Sequence, residues 1–128
     1  MSSQLIKLSR IAGTIALFLG AVHETYTFWF IPDVIHLPLS WRGLVLYMYL
    51  ATGLACILAG CGIFLSTARS IQNLKVSNHI YLISATFMLL LGIGAPITMN
   101  DNPFGYISLT EGVFSVAVGI LRYRQPMS

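Results

Sequence analysis

Residues 8–31 read LSRIAGTIALFLGAVHETYTFWFI, and the solvent of this stretch decides the fold. Its charged side chains are Arg10 near the start and Glu24 late in the run, where Glu24 follows His23. A bilayer core about 30 Å thick is crossed by roughly 20 helical residues. Backbone amides in hydrocarbon must pair within their own segment, so a single crossing segment has to be a helix. Three more runs of this kind follow, at residues 43–66, 79–99 and 103–121.

Composition supports the same solvent for the whole chain. Of 128 residues, 56% are hydrophobic and only 9% are charged, against about 25% charged in a soluble domain. The mean hydropathy is +0.80, and a chain this short has too little interior to hide so much apolar surface from water. The expected fold is all-α: an integral membrane four-helix bundle, built as a single domain over residues 1–128. The first run is expected to be retained, because it is too long for a signal peptide and lacks a small-x-small cleavage site before His23.

The connectors PDVIHLPLSWR (32–42), TARSIQNLKVSN (67–78) and NDNP (100–103) carry proline, asparagine and charge, as loops do. Pro32, Pro38 and Pro103 are expected at helix boundaries, and Pro96 is expected to kink or end the third helix. Asn100, Asp101 and Asn102 read as turn and cap residues ahead of Pro103 at the first helical position.

With four spans, Lys7, Arg10, Arg69, Lys75, Arg122 and Arg124 share one side, which is six of the seven bases; Arg42 alone is opposite. The positive-inside rule then puts both termini in the cytoplasm, in a plasma or inner membrane. All four acids, Glu24, Asp33, Asp101 and Glu111, fall in the other half, with an aromatic belt of Tyr26, Trp29, Phe30, Trp41, Tyr47, Phe104 and Tyr106. The bases form no stripe interleaved with aromatics, which argues against nucleic acid as a partner. Cys56 and Cys61 point roughly 140° apart on one helix and cannot bridge each other.

Membrane helices meet through small residues, since lipid is as apolar as leucine. Such residues recur three or four apart in each run: Gly13, Ala16 and Gly20; Gly53, Cys56 and Gly60; Ala85, Met88, Gly92 and Ala95; Ser108, Gly112, Ser115 and Gly119. Leu19, Val22, Ile63, Leu89 and Leu90 are then expected mainly at the lipid face or the bundle's periphery.

Glu24 continues the first stripe and Glu111 flanks the last. At 1.5 Å per residue they lie roughly 10 Å and 12 Å from the outer ends of their runs, so a single polar layer is expected. His23 joins that layer, about 100° around the helix from Glu24. Tyr47, Tyr49, Thr27 and Thr110 fall within a turn or two and could offer hydroxyl partners. An acid at the centre of a span costs about 2.5–3.5 kcal/mol, more than the roughly 0.6–2 kcal/mol that one interhelical hydrogen bond returns.

The expected function is the binding or translocation of a small polar or cationic solute, or of protons, at this layer. One alternative is a non-catalytic accessory or scaffold subunit of a larger membrane complex; another is a metal- or cofactor-dependent membrane enzyme. The sequence singles out no metal set and names no cofactor. Neither glutamate has a histidine three residues on, as carboxylate-bridged di-iron bundles do. His79 lies roughly 20 Å from His23 along the membrane normal, too far to share a haem within one chain. His36 reads as a solvated loop residue. The expected partners are the lipid bilayer, such a solute, and further copies of the chain or a membrane complex.

Overall fold

The computed structural model describes residues 1–98 and 103–125, which form four helices: α1 (Ser3–Val34), α2 (Leu39–Leu65), α3 (Lys75–Thr98) and α4 (Pro103–Tyr123). Each is long and apolar enough to cross a membrane, which suggests an integral membrane protein. Large apolar side chains point outward on every helix, among them Phe18, Leu54, Ile83, Leu90 and Val113. Surface of that kind is at home in acyl chains and costly in water.

Several boundaries differ from the sequence expectation. Pro32 lies inside α1 and Pro96 inside α3, and neither stops its helix. A proline forfeits one backbone bond, whereas ending the helix in an apolar solvent would orphan several. Pro38 caps α2 and Pro103 is the first residue of α4, at boundaries as expected. α3 begins at Lys75, so His79 sits in its second turn, exposed, with Nδ1 3.1 Å from the Lys75 carbonyl. Asn100, Asp101 and Asn102 lie outside the described residues.

Contacts run α1–α2, α2–α3, α3–α4 and α1–α4, the closed square of an up-down-up-down bundle. The hairpins α1–α2 and α3–α4 are tight; the two seams between hairpins are looser. Glycine sets the tight spacing. A Cβ on Gly20 would stand 2.8 Å from the Gly53 carbonyl, and one on Gly112 2.6 Å from the Leu89 Cα. Leu19 and Ile63 are buried at 4% and 0% exposure rather than turned to lipid. Gly13 and Gly60 bring α1 and α2 so close that these bulky neighbours fill the centre, Ile63 with Tyr81 and Val118, Leu19 with Met88. Cys56 and Cys61 are both free thiols.

At the end of the bundle that carries both termini, here the terminal end, the packing is polar. Arg122 is fully buried within α4 rather than trailing after it. Its Nε donates to Asn78 Oδ1 at 3.3 Å, and its Nη1 to Ser9 Oγ at 2.8 Å. Its Nη2 donates to Ser77 Oγ at 2.6 Å and to the Ser66 carbonyl at 3.3 Å. The guanidinium also lies 4.4 Å from the centre of the Tyr81 ring. Asn78 returns a bond to the Arg122 carbonyl, and Ser77 donates to the Ser66 carbonyl. Ser9 is on α1, Ser66 caps α2, and Ser77, Asn78 and Tyr81 are on α3, so one side chain ties all four helices together.

Replacing Arg122 by Met should therefore destabilise the bundle by roughly 2–3 kcal/mol, from four bonds at about 0.6 kcal/mol each. Arg122→Lys keeps the charge but loses the planar fork and should fall between the two. Unfolding in mixed detergent micelles measures both; wild-type stability in Arg122→Met would refute the clasp.

Candidate functional site

At the opposite, distal end the looser α2–α3 seam opens into a cleft of about 380 Å³. Its walls include Met48, Tyr49 and Thr52 from α2 and Leu90, Leu91 and Gly94 from α3, and His23 of α1 reaches it from behind. A small residue at Gly94 is what leaves the space: a Cβ there would meet no atom within 4 Å.

His23 is 7% exposed. Its ring tilts against Tyr49 and Phe104, with centroids 5.5 Å and 5.7 Å away. Its Nδ1 is buried and has no hydrogen-bond partner. Glu24, the next residue, turns to α2, where Gly53 has no side chain and the carboxyl fills the gap. Its Oε1 is likewise buried without a partner. Buried polar atoms are almost always paired with protein or water, and an unpaired one costs more in hydrocarbon than at a wet surface. Two such atoms from consecutive residues, one of them lining an open cleft, make this the candidate site.

The structure arranges the expected layer as two stations. Glu111 does not join His23 and Glu24. His23 is level with Phe104, and Glu111 lies seven residues further along α4, roughly 10 Å toward the terminal end. The single level came from counting depth from helix ends, and α1 runs on to Val34. Glu111 is 4% exposed and accepts a 2.7 Å hydrogen bond at Oε1 from Ser115 Oγ. Beyond Ser115, the Tyr81 hydroxyl is buried without a hydrogen-bond partner. Glu111, Ser115, Tyr81, Ser9 and Arg122 thus form a polar file from mid-bundle to the terminal end.

Of the expected hydroxyl partners, Tyr49 is at the cleft. Thr27 is buried one turn beyond His23, and its hydroxyl is spent on the His23 carbonyl at 2.9 Å. Tyr47 is 69% exposed, because two residues turn about 200° around a helix and carry it away from Tyr49. Thr110 is exposed and bonds back to the Tyr106 carbonyl at 2.8 Å rather than to an acid.

Sequence reasoning missed Arg122, Tyr81, Ser9, Ser66, Ser77 and Asn78. One signal was present: Glu111, Ser115, Val118 and Arg122 repeat at helical spacing along one buried stripe. Among the described residues no group of three or more His, Cys, Asp or Glu side chains could hold a metal ion. No protein-family model, curated protein or solved structure matches the chain.

The Glu111–Ser115 bond makes a measurable claim. A double-mutant cycle of Glu111→Gln and Ser115→Ala should give a coupling of about 0.6–2 kcal/mol. Strict additivity of the two losses in micelle unfolding would mean that the bond is absent.

Proposed function

We propose that this chain is a small integral membrane protein, a single domain with both termini in the cytoplasm, that binds a small polar or cationic solute in the distal cleft. One observation carries the reading: His23, whose Nδ1 is buried and unpartnered, lines a cleft of about 380 Å³. That volume is within the range of small-molecule sites, roughly 300–1,000 Å³. The lining is mostly apolar, with a few convergent polar groups, which is the usual composition of a ligand pocket. A bound solute that donates to the imidazole nitrogen would remove the cost of leaving it bare.

Charge placement supports the orientation. Arg122 is spent on the clasp, and five bases, Lys7, Arg10, Arg69, Lys75 and Arg124, still stand at the terminal end against Arg42 at the distal end. The cleft then faces the outer leaflet. The terminal end holds a buried guanidinium, and a fixed positive charge opposes the passage of cations and protons. Binding from the distal side is accordingly favoured over free conduction through the bundle.

The test uses the full chain in lipid nanodiscs and a panel of small amines and polar aromatic solutes, read by thermal unfolding. Compounds that raise the Tm of the wild type should bind His23→Ala at least tenfold more weakly, a loss of about 1.4 kcal/mol. Gly94→Leu should fill the cleft and abolish the effect while folding normally, since the added side chain enters open space. A panel that stabilises all three proteins equally, or none of them, contradicts the reading.

A further inference from the structure

The α1–α4 seam holds a second concavity, which shares no lining residue with the distal cleft. It is a groove of about 520 Å³ that faces away from the bundle axis, walled by Ile11 and Ile15 of α1 and by Ile107, Thr110 and Phe114 of α4. Glu111 lines it. The structure gives this buried carboxyl one hydrogen bond, from Ser115. Arg122, the one buried Lys or Arg side chain among the described residues, is no counter-ion: it lies eleven residues and roughly 16 Å further along α4, and all three of its guanidinium nitrogens are already engaged.

We infer that the Glu111 groove is a second binding site, for an amphipathic ammonium that enters from the acyl phase, its nitrogen on the carboxyl and its hydrocarbon chain along Ile11, Ile15 and Phe114. Three features select this ligand class. A groove with isoleucine and phenylalanine walls is solvated by hydrocarbon, so the occupant must bring apolar surface. The carboxyl sits at the floor and takes one bond from Ser115, so the occupant must also bring a donor, and a positive one complements the acid. A bare divalent cation does not fit, because it needs about six oxygen ligands. The groove's side-chain oxygens are one carboxyl, the Tyr106 hydroxyl and the Thr110 hydroxyl, the last spent on the Tyr106 carbonyl, which is too few. This inference requires the chain to be in a membrane but is independent of what fills the distal cleft.

The experiment uses the full chain in phosphatidylcholine nanodiscs with dicyclohexylcarbodiimide, a reagent that partitions into the acyl phase. The carboxylic proton passes to a carbodiimide nitrogen, the carboxyl oxygen adds to the central carbon, and an oxygen-to-nitrogen acyl shift leaves a stable N-acylurea. Peptide mass spectrometry should find that adduct on Glu111. Dodecylamine should suppress it at least tenfold, while dodecanol, equal in chain but without charge, should not. Binding of radiolabelled dodecylamine should fall at least fivefold in Glu111→Asp, which keeps the charge and withdraws it by one methylene. His23→Ala should leave both readouts unchanged, which separates this site from the cleft. The inference is overturned if Glu111 stays unlabelled, if dodecanol protects as well as dodecylamine, or if Glu111→Asp binds like the wild type. It is also overturned if Ile107→Cys cross-links two copies through the groove, because the occupant is then the chain itself.

Discussion

A guanidinium without a carboxylate governs this structure. Arg122 is fully buried, and its partners are two serine hydroxyls, an asparagine amide oxygen, a backbone carbonyl and the face of a tyrosine. A charge taken out of water is costly by itself, and every donor left unpaired adds to the cost. Because Arg122 has so many donors, α1, α2 and α3 must each present an acceptor at the same level. That requirement fixes the register of the four helices at the terminal end, much as one buried polar residue fixes register in a coiled coil.

The two ends of the bundle consequently differ. Small residues bring helices together within each hairpin, but the seams between hairpins are looser. At the terminal end the clasp closes those seams. At the distal end no equivalent hub spans them among the described residues, and the α2–α3 seam opens into the cleft beside His23. Among the described residues, the buried polar atoms without a partner fall at both ends: His23 Nδ1 and Glu24 Oε1 at the loose end, and the Tyr81 hydroxyl beside the clasp.

Much of the architecture was legible in the sequence, because apolar length and small-residue spacing report directly on a lipid solvent. Gly20, Gly53, Gly60 and Gly112 all lie at close helix approaches. Pro38 and Pro103 fall at boundaries as expected, whereas Pro32 stays inside α1, two residues before its end, and α3 continues through Pro96 to Thr98. Arg122 misled. A hydropathy reading ends the last span at Leu121, so the next residue looked like a headgroup-level charge, and only the convergence of Ser9, Ser66 and Ser77 from three other elements shows otherwise. His23 and Glu24 stood out because charge is rare in such a run. The offset of Glu111 from them did not, because depth along a helix depends on neighbours as well as on where the helix ends.

The most direct test of the clasp is nitrogen-15 NMR of the Arg122 side chain in lipid. A guanidinium held through all three nitrogens should show separate, slowly exchanging Nη1 and Nη2 signals, unlike the exposed Arg10. One averaged Nη signal for Arg122, exchanging with water as fast as that of Arg10, would contradict the account.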